Sequence, residues 1–274
     1  MQFPVPGGRV GAGLGGLGIV GVILALVFTV FTGGGGFDVQ NIPQFPGAQP
    51  TPSSEDAAET SGASGPLRDL VVFVADDAQA TWSDTFARAG RPYEPAGLVL
   101  FSSGTVSGCG PASAATGPFY CPADRKVYID LSFYRELEGR FGASGDFAQA
   151  YVIAHEVGHH VQTLLGTNAQ VQSLSRDDPG QANELSIRLE LQADCYAGVW
   201  ANAAASAGLL ESGDLEEGLA AAAAVGDDRI QEQTQGRIDP EAWTHGSADQ
   251  RVEWFRRGFE NGDPNACDTF SGDI

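Results

Sequence analysis

His155, Glu156 and His159 stand in the run His-Glu-Val-Gly-His. On a helix, positions i and i+4 lie on one face, so both imidazoles can reach a single zinc ion. The acidic residue between them is then placed to take a proton from water. Two histidines do not complete a catalytic zinc site, which takes three protein ligands and leaves a position open. His160 points about 100° away around the helix and is a poor third ligand. Its expected role is a polar contact beside the site. A later helix offers Glu190, followed by Asp194 at i+4 on the same face, a spacing that pairs a ligand with a group able to orient one. Glu184 is the alternative third ligand.

These residues need two facing helices. Residues 146–165 read as the first, with Asp146 as N-cap and Gly166 as the stop. Gly158 weakens that helix by roughly 1 kcal/mol relative to Ala, a cost that points to close approach of another backbone. Residues 167–181 are polar and read as a loop, and residues 183–207 form the second helix. Its apolar stripe is Leu185, Leu189, Ala193, Tyr196, Ala197 and Trp200. A third helix is expected from Asp214, with Glu217 completing a capping box. A fourth is expected from Ser247, capped with Gln250. Upstream, residues 67–74 open the folded region and residues 75–90 read as a helix. The run 98–101 is short and apolar. Residues 119–121 and 126–131 are β-like around a turn, and 126–131 is a candidate edge strand that an extended peptide could join. The fold class is α+β, helix-rich with a small sheet.

The chain has 274 residues, and its net charge of −20 argues against nucleic acid as a partner. No Cys-x-x-Cys pair suggests a thiolate zinc cage. Residues 10–32, 23 in all, lack any charge and are long enough to cross a bilayer. Arg9 precedes them and no Lys or Arg follows until Arg68. The expectation is a short cytoplasmic tail (1–9), a single transmembrane anchor (10–32), a Gly/Pro/Ser-rich tether (33–66) and an extracytoplasmic domain (67–274). A cleaved signal peptide is the alternative. Outside the cytoplasm cysteines can pair. Four allow three connectivities, of which Cys109–Cys121 and Cys195–Cys267 are favoured.

The Glu-x-x-x-Asp spacing of Glu190 and Asp194 resembles the second helix of thermolysin-like zincins. That resemblance implies that Glu190 is the third ligand and that Asp194 orients His155. A closer resemblance rests on three segments: residues 155–162 (His-Glu-Val-Gly-His-His-Val-Gln), residues 188–198 around Glu190 and Asp194, and Thr244-His245-Gly246-Ser247 with Gln250 and Arg251. Together they are similar to the neutral zinc metallopeptidase family, whose members are membrane-anchored at the N-terminus. The resemblance covers most of residues 67–270 and implies a zincin-like domain, one zinc ion and a peptide or protein substrate. Glu156 is the expected general base. His245, the only histidine outside the metal helix, is the candidate donor to the oxyanion, with Arg251 as a weaker one. Three other readings fit the same residues: a zinc hydrolase of a non-peptide amide such as a cell-wall substrate, a non-catalytic zinc-binding module tethered to the membrane, and a protease restricted to one membrane partner.

Overall fold

A computed structural model describes residues 65–102, 104–113 and 116–274. The expected tail, anchor and nearly all of the tether lie outside these residues. Among the described residues no helix is long and apolar enough to cross a membrane.

The first helix, α1 (Pro66–Arg88), is a single element covering both the expected opening segment and the expected helix. The run Leu70–Val74 is strand-like by composition. Pro66 in the first turn suits a helix start, and Val71, Val74, Ala78 and Trp82 fall on one helical face and are buried. Burial of that stripe overrides the local β preference. Trp82 meets Tyr196 edge-to-face at 5.0 Å.

Three strands form the main sheet: β1 (Gly97–Phe101), β4 (Phe119–Cys121) and β5 (Lys126–Asp130), in the order β1-β5-β4. β1 runs parallel to β5, and β4 antiparallel to it. The segment expected at the edge, residues 126–131, therefore holds the central strand, paired with β1 over Lys126–Asp130 and with β4 over Lys126–Tyr128. Strand order is set by the parallel return of β1, which the alternation within β5 does not encode. A separate hairpin, β2 (Gly104–Ser107) with β3 (Gly110–Ser113), projects between β1 and β4. Cys109 pairs with Cys121 and staples it to β4.

After α2 (Phe133–Phe141) comes the central helix α3 (Asp146–Leu165). Gly145 occupies its N-cap position with φ 107°, so Asp146 begins the helix rather than capping it, and Gly166 ends it in the left-handed conformation. The expected loop at 167–181 holds a helix, α4 (Thr167–Asp177), and one short 3-10 turn (Pro179–Gln181). Only Val171 and Ser175 of α4 are buried, so its composition carries little periodic signal. α5 (Ala182–Ser206) follows, then α6 (Asp214–Ala224), an unanticipated α7 (Asp227–Gln235) and α8 (Ala248–Asn261). The capping box of Ser247 and Gln250 on α8 is present. That of Asp214 and Glu217 is not: the Glu217 carboxylate accepts from the Phe147 N–H instead and ties α6 to the start of α3.

Three glycine contacts set the spacing at two helix crossings. A Cβ on Gly158 would stand 3.0 Å from the Ala193 carbonyl oxygen, so α3 and α5 approach there backbone to backbone. On the other side of α5, a Cβ on Gly258 of α8 would fall 1.9 Å from the Cys195 carbonyl oxygen, and one on Gly198 2.0 Å from that of Phe255. The Cys195–Cys267 disulfide fastens α5 to the segment that follows α8.

Candidate metal centre

The convergence of α3 and α5 at Gly158 brings His155, His159 and Glu190 together, their ligand atoms all within 4.8 Å of one another. Glu190 spans the two rings. One carboxylate oxygen lies 3.2 Å from His155 Nε2, and the other 3.4 Å from His159 Nε2. Each ring turns its other nitrogen away. His155 Nδ1 donates to Asp194 at 2.8 Å. His159 Nδ1 donates to Gln162 Oε1 at 2.9 Å. The amide of Gln162 is itself fixed, because its Nε2 donates to the Leu189 carbonyl at 2.7 Å. Both rings are thus oriented so that Nε2, once any proton on it is displaced, faces the point where a cation would bind. Two imidazoles and a carboxylate facing one point make a donor set that fits zinc.

Asp194 is fully buried and heavily committed. Tyr151 donates its hydroxyl to Asp194 at 2.5 Å, and Arg251 donates through Nε at 2.8 Å and Nη2 at 2.9 Å. Burial alone would raise the Asp194 pKa; the Arg251 charge, then His155, hold it below its ordinary value. For Glu190 too, burial acts upward but is outweighed by His159, His155 and His245, which keep its carboxyl well below the usual range. At His155 burial favours the neutral ring, yet the Asp194 carboxylate and Glu190 push its pKa up to about 10. Such a site holds protons that a cation must displace.

Glu156 lies beside this cluster and is buried, with the Tyr120 backbone of β4 favouring its ionised form. Burial raises its pKa, while His159 and His155 oppose the rise. His160 faces the other way. Its Nε2 donates to the Glu94 carbonyl and its Nδ1 accepts from the Tyr120 hydroxyl, so it anchors α3 to β4 and burial lowers its pKa. Glu184 is largely exposed and pairs with Arg188, which removes it as a ligand. Arg251 is spent on Asp194, Tyr151 and the Val225 carbonyl, which removes it as an oxyanion donor.

His245 comes within electrostatic reach of Glu190. Its Nδ1 lies 3.0 Å from Asp227 Oδ1, and Asp227 Oδ2 accepts the backbone N–H groups of Thr244, His245 and Gly246. One carboxylate at the start of α7 thus fixes both the ring and the turn that carries it. Gln162 and Asp227 were not legible as site residues. Gln162 is three positions past His159, a spacing that could have raised it. Asp227 carries no local signal, because its partners lie 17 residues and more away.

The family described as "Putative neutral zinc metallopeptidase" matches residues 3–270. The chain is 53% identical over 195 residues to the uncharacterized protein YpfJ of Escherichia coli, an alignment covering 71% of this chain and 68% of that one. Uncharacterized proteins of Mycobacterium bovis and Mycobacterium tuberculosis are each 49% identical over 212 residues, covering 73% of this chain and 70% of theirs. No solved structure matches.

Proposed function

We propose that this chain, which belongs to the neutral zinc metallopeptidase family, is a membrane-anchored peptidase that hydrolyses peptide bonds at the His155, His159 and Glu190 centre. One observation carries the reading. Both histidines have Nδ1 engaged by a neighbouring side chain and turn Nε2 toward the Glu190 carboxylate, which lies between the two Nε2 atoms. Three ligands leave room for a substrate group, which distinguishes a catalytic site from a closed structural one.

Bound zinc supplies a Lewis acid that acidifies water and polarises a carbonyl. Glu156 takes the proton of the attacking water and returns it to the leaving amine. Its buried setting raises its pKa, which makes it a stronger base than an exposed carboxylate. Asp194 and Gln162 hold the two imidazoles in register. His245, whose pKa the Asp227 hydrogen bond and the Glu190 charge raise against the effect of burial, donates to the oxyanion that develops on the substrate carbonyl. The charge-free run 10–32 supports anchoring, with the site on the extracytoplasmic side.

Glu156→Gln tests the reading. The variant should bind zinc with wild-type stoichiometry and lose hydrolysis of an unstructured peptide library by about 100-fold or more. Retained turnover with zinc bound would sink the assignment of the base. Wild-type cleavage of peptidoglycan fragments in place of peptides would move the substrate to a non-peptide amide.

A further inference from the structure

An open cleft of about 500 Å³ lies between the first turns of α5, the 3-10 turn Pro240–Ala242 and residues 273–274, a volume in the range of small-ligand sites. Its walls are tied to one another. Asn183 Nδ2 on α5 donates to the Glu241 carbonyl at 2.9 Å, and Gln250 Nε2 on α8 donates to a main-chain oxygen of Ile274 at 3.2 Å. Shared residues link the cleft to the metal centre. Ile187, which lines it, stands one turn before Glu190 on α5, about 4.5 Å along the axis. A Cβ on Gly246 would stand 3.3 Å from Ile187 Cγ2, so the turn that carries His245 packs on the same side chain. Four charged side chains line the cleft: Glu184, Arg188, Glu241 and Asp273. Arg188 is spent, pairing with Glu184 at 2.8 Å and donating to the Thr269 carbonyl and, at 3.0 Å, to that of Gly272. The Glu241 and Asp273 carboxylates are exposed and have no ion-pair or hydrogen-bond partner among the described residues. Trp243 is half-buried in the wall, its indole N–H held by Gln231 Oε1 at 3.3 Å. An aromatic ring beside uncompensated carboxylates suits a cation carried on an apolar stem.

We propose that this cleft takes a lysine or arginine side chain of the substrate, with Glu241 and Asp273 answering its charge and Ile187 and Trp243 packing on its stem. Its use as a substrate subsite rests on the peptidase reading above; its affinity for a cationic side chain does not. An extended peptide advances about 3.3 Å per residue, so a side chain within a few residues of the scissile bond reaches the cleft from the metal. Exposed ion pairs alone contribute little, and the aromatic wall supplies the rest of the attraction. The net charge of −20 draws any cation toward the surface. A walled cleft at a fixed distance from the metal does more: it distinguishes one position along the peptide from the others.

The test uses fluorescent peptides of one sequence in which a single arginine, or norleucine as its uncharged counterpart, is walked from position to position. Binding is measured by anisotropy on the zinc-loaded full chain carrying Glu156→Gln, so that turnover does not intervene. At one position arginine should bind about tenfold more tightly than norleucine, the scale of a cation over an aromatic face with an added charge. Glu241→Gln with Asp273→Asn should remove that preference and leave norleucine peptides within about twofold. Trp243→Leu should weaken the arginine peptide about fivefold or more. Equal gains from arginine at every position would show diffuse attraction to an acidic surface and overturn the proposal. So would a preference that survives the paired carboxylate variant, or an equal loss for both peptides. Where the wild type cleaves the peptides, the preferred arginine should stand at a fixed distance from the cut bond; a cut that ignores its position counts against the subsite. Failure of the wild type to cleave any of them would sink the peptidase reading and leave the binding comparison to decide the cleft.

Discussion

At the scale of single residues, the site depends on side chains that would never touch the metal. Gln162 shows this at its simplest. Its Oε1 accepts from His159 Nδ1 while its Nε2 is held by the Leu189 carbonyl and by Gln192. Gln162→Leu keeps the volume and removes the acceptor, so His159 can turn or change tautomer. We expect zinc affinity to fall about 10- to 100-fold, measured by competition with a chromogenic chelator. Asp227 and His245 make a second case, read through pH. Burial alone would raise the Asp227 pKa, but the His245 hydrogen bond and charge lower it. For His245, burial is outweighed by the Asp227 hydrogen bond and the Glu190 charge, with Arg251 opposing, and the pKa rises. A lowered carboxyl pKa gives stability that is present above the ordinary value of about 3.9 and is lost as pH falls through the native one. A raised imidazole pKa gives stability that is present below about 6.5 and is lost as pH rises through the native one. The couple therefore stabilises most between these limits, although the quarter of the His245 side chain still exposed lets solvent soften the effect. In Asp227→Asn the difference in stability from wild type should be largest between pH 4 and 6.5 and shrink on both sides. A difference that stays constant with pH in urea titrations would refute the coupling.

At the scale of elements, the helix crossings decide whether the residues meet. The amphipathic stripe of α5 and the capping box of α8 were readable, because each is a local pattern of types at fixed spacing. Gly158 was readable as a point of close approach, though its partner, Ala193 on α5, was not. Other elements were misread for specific reasons. Residues 67–74 could be read only as the opening of the folded region, because their adjacent apolar residues give no clear period; the burial of Val71 and Val74 on the face that Ala78 and Trp82 share joins them to the helix. The α4 segment looks like a loop because two buried residues make no stripe. The central place of β5 depends on pairing with β1, some 29 positions away at Gly97 and Lys126. The tightest crossing, α5 on α8, carries its own expected outcome. Gly258→Ala puts a methyl against the Cys195 carbonyl oxygen and must push the helices apart. Overpacking of this kind costs about 1–3 kcal/mol. Because Asp194 and Arg251 sit on these same two helices, zinc affinity should fall with stability. Gly139→Ala, where a Cβ meets nothing within 4 Å, is the control: it should leave zinc affinity unchanged and raise stability by up to about 1 kcal/mol through helix propensity.

At the scale of the whole molecule, the metal site is a small part of a large buried core. The core runs from α1 through α3 and α5 to α8, and it is closed at one end by the Cys195–Cys267 bridge, 72 residues apart. A disulfide across a loop of that length typically contributes about 2–5 kcal/mol. The charges of the site are also compensated within the protein: Asp194 by Arg251 and His155, and Glu190 by the two imidazoles at 3.2 and 3.4 Å. Zinc is therefore a ligand of a folded protein here, unlike the metal of a small domain that cannot bury a core without it. Treatment with a chelator should abolish hydrolysis while the far-UV circular dichroism keeps its helical signal and unfolding stays cooperative. The melting temperature should drop and then recover as zinc is returned, following mass action. Free zinc at 100 times its dissociation constant adds about 2.7 kcal/mol. Protonation of His155 in the stripped protein, favoured by Asp194 and Glu190, makes that recovery weaker at lower pH, since the cation must then displace a proton. Loss of the helical signal on chelation would contradict this account and make the ion a structural support of α3 and α5.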